Sequence, residues 1–311
     1  MSTSVIAILL LVLHALLLAL AAPIAAGLLL HWEARLAGLA GPPVLQPWRD
    51  LCRLGRKDPL PTEGATGLSA MAPGLSLAAV CAAGLLVPSG ALGMASAPAA
   101  DLLAIFGLLA LARWITALAA FDAGTGPAGE AATHSLLLGS LGAPVLALCV
   151  LVLALLTGTT NLDAIVAAMR DGPAGLLVPL GLVLLALGMV ALGDCRPLAD
   201  PATGPAYSGR QLALVTFAAQ LRLVLWLSLL AAVFLPFGMA QAGAGPLAWT
   251  MGAVCWALKL LVLVAVLGMI GATGGRLGQA RAQGGARHVL GVALLLALLA
   301  AVLLFVGQGL V

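Results

Sequence analysis

Near its start the chain reads SVIAILLLVLHALLLALAAPIAAGLLL, from Ser4 to Leu30. His14 is the only ionisable side chain in this run, and no basic segment precedes it. A membrane-spanning helix needs about 20 consecutive, mostly apolar residues, whereas the apolar core of a cleaved signal peptide has only about 7 to 15. The run therefore predicts a retained first transmembrane helix.

The composition of the whole chain excludes a soluble fold. Its 311 residues are 63% hydrophobic and 8% charged, with a mean hydropathy of +1.17. A soluble domain has about 25% charged residues, because its surface must interact with water. Lipid must therefore surround most of this protein. The formal net charge of +3 is too small to indicate a nucleic-acid partner, so none is expected.

Charged residues, prolines and glycines divide the chain into eight apolar segments of spanning length. The sequence thus predicts an all-α membrane protein of about eight transmembrane helices, with residues 1–311 forming a single membrane domain. The predicted spans are 4–30, 71–90, 99–121, 134–157, 174–193, 211–237, 246–271 and 288–307.

The basic residues predict the orientation of these spans, because Lys and Arg are retained in cytoplasmic loops. The loops after the first, fifth and seventh spans hold Arg35, Arg49, Arg53, Arg56, Lys57, Arg196, Arg210, Arg276, Arg281 and Arg287. The loops after the even-numbered spans hold only Arg170. Both termini are therefore expected on the outer, periplasmic side of a bacterial cytoplasmic (inner) membrane.

Residues 31–70 form the one long cytoplasmic connection, and its middle has helical amphipathic spacing. Val44, Trp48, Leu51 and Leu54 can share one face of a helix, with basic residues beside them. The pattern alone fits either a helix lying in the lipid interface or an element that docks a partner.

Few ionisable residues fall within the predicted spans. Away from the span ends they are His14, Arg113, Arg222 and Lys259, with His134 near a helix start, and none of these is acidic. A charge at the bilayer centre costs about 2.5 to 3.5 kcal/mol, so such residues usually face a cavity or a partner. Arg113 either has such a role or reaches the interface beside Asp122, whereas the mid-span position of Lys259 favours a polar path or a buried partner.

These residues define a candidate charge path of Arg113, Asp122, His134, Arg222 and Lys259, but they do not make a complete proton relay. Sequence motifs for phosphate, dinucleotide or zinc-protease chemistry do not occur, so no catalytic residue and no metal site is predicted. The five cysteines are far apart without a CxxC pair, and small buried apolar positions are expected for them.

Several loop strings together resemble one protein family. They are GPPVLQPWRDL from Gly41 to Leu51, FDAGTG from Phe121 to Gly126, RPLADPAT from Arg196 to Thr203, and YSGR from Tyr207 to Arg210. In this order they resemble the complex I subunit 1 family, especially the formate hydrogenlyase subunit 4 branch found in energy-converting membrane-bound hydrogenases. The predicted eight helices with outward termini also match that family.

The resemblance implies a subunit that anchors a peripheral electron-transfer module to the membrane. The implied partners are hydrogenase-like or quinone-reductase-like large and small subunits and antiporter-like membrane subunits. Iron–sulfur clusters and a nickel–iron centre would belong to those partners, with no cofactor bound by this chain except a quinone at a shared pocket. The implied docking residues are Gln46, Trp48, Arg49, Asp50, Arg53, Asp200, Tyr207 and Arg210.

The chain also departs from the family pattern. Family members carry a glutamate-rich stretch where this chain has only Gly204, Pro205 and Ala206, and acidic residues are missing at 132–136 and 142–144. We therefore expect an anchoring scaffold more than a pump for H+ or Na+. The alternative from the residues alone is an independent transporter or channel that attracts an anionic solute through its membrane-embedded cations.

Overall fold

The computed structural model describes residues 3–59, 66–170, 177–195, 207–275 and 279–309. The helices are α1 (Thr3–Leu36), α2 (Gln46–Gly55), α3 (Gly67–Leu86), α4 (Leu102–Asp122), α5 (Gly126–Thr157), α6 (Leu162–Arg170), α7 (Leu177–Cys195), α8 (Gly209–Phe234), α9 (Pro246–Gly275) and α10 (Gln279–Gly309). Two short strands, β1 (Ala91–Leu92) and β2 (Ala240–Gln241), pair in parallel.

Eight of these helices, all except α2 and α6, are long and apolar enough to cross a membrane. The predicted all-α class with eight spans is therefore confirmed, although several boundaries differ. The third helix of the chain, predicted as 71–90, begins at Gly67 and ends at Leu86. It ends there because Val87 takes an extended conformation, which is favoured by steric contact with the proline that follows it, Pro88.

Helix α8 lies at the centre of the bundle. It contacts α1, α2, α3, α6, α7 and α9, and almost all of its second half is buried. Helices α3, α4 and α5 pack successively, α10 packs against α5 and α7, and α1 packs against α9. The outward faces of α1, α9 and α10 carry large exposed apolar residues, as expected for contact with lipid.

The predicted amphipathic segment is helix α2, which packs against α8 and α1. Its buried residue is Pro47, and Leu51 and Leu54 on the same side are partly buried. Trp48 is 41% exposed, which corrects its predicted place on the inward face. The error arose because each residue step turns a helix by about 100°, so Trp48 lies away from the line that Pro47, Leu51 and Leu54 form.

Two features at the end of the bundle away from α2 were not predicted. Helix α6 lies in the connection after α5, where Asp163 accepts a 2.7 Å hydrogen bond from the backbone N–H of Gly93. The β1–β2 pair lies beside a close approach of two backbones, because a Cβ on Gly252 would lie 2.1 Å from the carbonyl oxygen of Gly90.

The cysteines only partly follow the expectation of burial. Cys149 and Cys195 are buried, and Cys255 is half-buried. Cys52 and Cys81 are exposed, which corrects the prediction for these two residues. Cys81 nonetheless lies on a membrane-spanning helix, where an exposed apolar thiol faces lipid or another protein and needs no burial within its own chain.

Candidate functional site

The most polar interior feature of the bundle surrounds Asp194 in the last turn of α7. Its side chain is 3% exposed. Arg113 of α4 donates a hydrogen bond to Oδ1, and Trp226 of α8 donates from Nε1 to Oδ2 at 2.6 Å. Arg222, also on α8, places Nη1 3.7 Å from Oδ1. One carboxylate thus ties three helices together.

This cluster lies at the level of the middle of α4, α5 and α8, because Arg113, Gly139 and Arg222 each occur near the midpoint of their helix. A Cβ on Gly139 would lie 2.6 Å from Nη1 of Arg113. The guanidinium therefore passes α5 at a position that has no side chain.

The electrostatics of the cluster favour an ionised carboxylate. Two guanidinium groups and an indole N–H stabilise the negative charge of Asp194 in surroundings that are otherwise apolar. Both carboxylate oxygens are occupied by donors, so the group is poorly placed to pass a proton onward. The arrangement is suited to fixing helices, and within the described residues it carries one excess positive charge.

Asp194 corrects the prediction that the spans contain no acidic residue, and it also corrects the partner considered for Arg113. Asp122 instead stabilises the start of α3. It accepts hydrogen bonds from Thr66 N and Oγ1, both at 2.9 Å, and from Ser69 Oγ at 2.6 Å. These bonds satisfy donors at a helix N-terminus, which is a structural role.

Lys259 does have buried partners, but they are backbone carbonyls rather than a charged relay. Its Nζ donates to the carbonyl oxygens of Leu235, at 2.5 Å, and Phe237, and it lies 4.4 Å from the centre of the Phe237 ring. A cation at this place satisfies carbonyl groups just beyond the end of α8. Lys259 therefore acts as a hydrogen-bond donor to the backbone where the central helix ends.

His134 is the remaining member of the candidate charge path, and it lies in α5, two turns beyond Gly126. Its buried Nε2 has no hydrogen-bond partner among the described residues. The structure thus brings only Arg113 and Arg222 together, around Asp194. Asp122, His134 and Lys259 lie elsewhere, and the five residues do not form one continuous path.

The predicted docking residues of α2 form a connected polar group. Gln46 Nε2 lies 3.1 and 3.2 Å from the two carboxylate oxygens of Asp50, and Arg53 Nη2 lies 3.1 Å from Oδ1 of the same residue. Arg49, Arg53 and Trp48 are exposed. Helix α2 therefore presents an aromatic ring and two guanidinium groups outward.

The segment after α2 lies against the start of α8. Arg210 forms a 2.9 Å ion pair with Asp58, and its backbone N–H donates to the carbonyl oxygen of Lys57 at 3.2 Å. Gly209 has φ +52°, and a Cβ there would lie 2.5 Å from the carbonyl oxygen of Asp58. Two segments far apart in sequence thus make one surface.

Two of the predicted docking residues are not seen on that surface. Tyr207 is buried beside Ala72, Ala119 and Val215, so its ring does not lie on this surface. Burial and the neighbouring Asp122 charge raise the pKa of Tyr207 to about 12. Asp200 lies outside the described residues.

Sequence reasoning missed the central carboxylate for an identifiable reason. Asp194 follows the predicted fifth span directly, so it was assigned to a loop with the charged residues after it. Its partners Arg113 and Trp226 are distant in sequence, and only packing brings them together. The membrane position of Arg113 and Arg222 was the available signal, because buried cations require an anion nearby.

Comparisons with known proteins agree with this architecture. A family model described as NADH dehydrogenase matches residues 4–305. Hydrogenase-4 component C of Escherichia coli K12 is 29% identical over 238 residues, which cover 73% of this chain and 75% of that protein. Formate hydrogenlyase subunit 4 of the same organism is 24% identical over 267 residues, covering 83% and 85%.

A solved structure shares the fold. A chain of the membrane-bound sulfane sulfur reductase, an archaeal respiratory membrane complex, aligns with a TM-score of 0.75. The alignment covers 98% of this chain and 100% of that chain at 17% sequence identity.

Proposed function

Because this chain belongs to the NADH dehydrogenase family, we propose that it is the membrane-anchoring subunit of a multisubunit hydrogenase-like or complex I-like oxidoreductase. The chain is a multi-pass membrane protein. Its curated relatives are named as a component of hydrogenase-4 and a subunit of formate hydrogenlyase, which supports a role as one part of a larger assembly.

The observation that carries the proposal is the surface shared by α2 and the start of α8. Arg49 and Arg53 are exposed there, and the Arg210–Asp58 pair holds the two segments side by side. Exposed arginines and an exposed tryptophan are typical of binding surfaces. In the proposed assembly, this surface contacts the hydrogenase-like or quinone-reductase-like large and small subunits.

The proposal includes a location and an orientation. The surface formed by α2 and α8 faces the cytoplasm of a bacterial cell and both termini face the periplasm, because the basic loops belong on the cytoplasmic side of the inner membrane. Antiporter-like membrane subunits are the proposed partners within the bilayer. Iron–sulfur clusters and a nickel–iron centre are assigned to the peripheral partners.

The geometry favours an anchor over an ion pump. The carboxylate of Asp194 is occupied by Arg113 and Trp226, and the other members of the candidate charge path lie apart from it. We therefore assign no complete H+ or Na+ path to the described residues. A quinone at a pocket shared with a peripheral subunit stays a prediction, because Trp48 and Arg49 are exposed on α2 where such a partner would cover them.

A transporter for anionic solutes is less well supported. Arg113 and Arg222 both approach the same carboxylate, and Lys259 is bonded to carbonyl groups beyond α8. All three cations make contacts inside the bundle, so they do not line a path for an anionic solute. Transport of an anion by the purified chain in liposomes would favour this function over the anchor.

The proposed function is tested by mild solubilisation of the tagged chain from its native membrane, followed by identification of every protein that co-purifies. Co-purification in fixed proportion with iron–sulfur or nickel–iron-type subunits is the expected result. Repeated recovery of the chain without any redox subunit, under conditions that keep known membrane complexes intact, would refute the proposal.

A further inference from the structure

The central helix α8 ends beside the inner part of α9 rather than beside its first turn. A Cβ on Gly238, just beyond α8, would lie 2.9 Å from Sγ of Cys255. Cys255 lies about 13 Å along α9 from Pro246, at a rise of about 1.5 Å per residue. Met251 and Leu258, on either side of this level, are 61% and 60% exposed. Such large apolar side chains face lipid, so the backbone beyond α8 lies at the depth of the bilayer.

The chain beyond α8 runs back along α9 in an extended form instead of forming a helix. Its successive residues contact successive turns of α9 in reverse order, and the pairs are Phe237 with Lys259, Gly238 with Cys255, and Ala240 with Gly252. Carbonyl groups at the end of a helix have no partner within that helix. Because lipid tails offer no hydrogen-bond donors, carbonyl groups at this depth need partners from the protein or from a bound ion.

Lys259 is the partner of two of these carbonyl groups. Its Nζ lies 2.5 Å from the carbonyl oxygen of Leu235, donates also to that of Phe237, and lies 4.4 Å from the centre of the Phe237 ring. The residue is 6% exposed. Backbone carbonyl groups and aromatic faces are groups that bind monovalent cations, and the C-terminal end of a helix adds the negative end of its dipole. Unwound carbonyl groups at helix C-termini bind Na+ in membrane transporters in the same way.

We propose that the end of α8 is a binding site for a monovalent cation, and that Lys259 fills this site with a tethered primary ammonium group. An ammonium group suits the site because it can donate to both carbonyl oxygens at once. The contact between α8 and α9 then depends on the cation, whether or not a side chain carries it. A free ion cannot occupy the site while Lys259 is bound there, which agrees with an anchor rather than a path for Na+. The inference does not depend on which partner subunits the chain has.

Chemical rescue of a truncated side chain tests this site. Lys259→Ala removes the side chain beyond Cβ, and propylammonium is the fragment that is removed. Thermal unfolding of the purified full-length variant in detergent is measured with propylammonium and with tetramethylammonium, which has the same charge but no N–H group. We expect Lys259→Ala to unfold at a lower temperature than the wild type. Propylammonium should raise this midpoint in a saturable manner, as binding to the folded state requires, and tetramethylammonium should not.

Two controls show whether the rescue is specific to the site. In the wild type the site is filled, so propylammonium should leave its midpoint unchanged. Leu258→Ala truncates the neighbouring exposed residue of α9 and opens no carbonyl site, so its midpoint should not respond either. The inference is overturned if propylammonium fails to raise the midpoint of Lys259→Ala, or if it raises the midpoints of all three proteins equally.

A second measurement covers the case in which Lys259→Ala does not fold unaided. The same two ions are then added during refolding, and recovery with propylammonium alone supports the site, whereas no recovery with either ion overturns it. Lys259→Arg keeps a cation, and Lys259→Met has a similar length without a charge. In native membranes the amount of folded Lys259→Arg should exceed that of Lys259→Met several-fold. Equal amounts would show that the carbonyl groups beyond α8 do not need a cation.

Discussion

Asp194 shows how a single buried carboxylate can organise a membrane bundle. It joins α4 to α8 through Arg113 and Trp226, and Arg222 approaches the same oxygen as Arg113. Burying each of these charges alone is unfavourable, and their attraction offsets that cost only while all partners are present. Removing one partner should therefore affect stability more than removing an exposed pair.

We expect Asp194→Asn to lower the free energy of unfolding by about 3 to 5 kcal/mol, because it leaves two partly buried guanidinium groups without a counter-charge. Denaturant titration of the purified chain in mixed micelles measures this loss. The control is Asp58→Asn, which breaks the exposed pair with Arg210 and should cost less than about 1 kcal/mol.

A compensating variant sharpens this test. Adding Arg113→Gln to Asp194→Asn removes one of the uncompensated charges, so the double variant should be more stable than the sum of the two single losses predicts. Strict additivity of the two losses would contradict a direct interaction between these side chains.

Gly139 leads to a further prediction at the residue scale, because its lack of a side chain leaves room for the Arg113 guanidinium beside α5. Gly139→Ala would place a Cβ 2.6 Å from Nη1 of Arg113, and we expect a loss of about 1 to 3 kcal/mol from the resulting strain. Gly291→Ala is the matched control, since no atom lies within 4 Å of a Cβ there. Thermal unfolding of both variants in detergent measures the difference. Equal midpoints would show that Arg113 does not need the space at Gly139.

At the scale of elements, the long apolar runs predicted the spanning helices well. Each helix that crosses the lipid needs about 20 mostly apolar residues, and this requirement can be seen in the sequence alone. The positions of α2 and α6 depend instead on contacts between distant segments. Trp48 illustrates this limit. The sequence predicted its helix but placed its side chain on the inward face, whereas the side chain is exposed. The Asp194 cluster was missed for the same reason.

The attachment of α2 to α1 gives an element-scale prediction. A Cβ on Gly27 of α1 would lie 1.8 Å from the carbonyl oxygen of Val44, so Gly27→Ala must displace the segment that leads into α2. We expect this variant to lower the recovery of peripheral subunits while the chain still inserts in the membrane. Quantitative co-purification measures it.

Gly74→Ala is the control for this variant, because nothing lies within 4 Å of a Cβ at that position of α3. Undiminished recovery of peripheral subunits with Gly27→Ala would show that the placement of α2 does not matter for docking.

At the scale of the whole molecule, the proposed orientation in the membrane rests on the basic residues, and labelling of Cys52 tests it. This thiol is exposed on α2, whereas Cys81, also exposed, lies on a membrane-spanning helix. A membrane-impermeant maleimide should label Cys52 in inverted vesicles and not in intact spheroplasts. The reverse result would invert the proposed topology.

A relocated cysteine provides the control for orientation. Ala244, exposed in the connection before α9, lies at the opposite end of the bundle from α2. In a Cys52→Ser background, Ala244→Cys should be labelled in spheroplasts. Labelling of both positions from the same side would contradict the alternation of the spans between them.

In the proposed function, peripheral subunits dock on the surface formed by α2 and the start of α8, so reversing its exposed charges is the most direct test. Arg49→Glu combined with Arg53→Glu changes this surface without touching the Asp194 cluster, and Arg170→Glu reverses a charge at the opposite end. The measurement is the ratio of peripheral redox subunits to tagged chain after purification from the native membrane. We predict that the double variant lowers this ratio by about tenfold or more, because like charges at an interface are strongly unfavourable, and that Arg170→Glu leaves it unchanged. An unchanged ratio in the double variant would contradict docking at this surface.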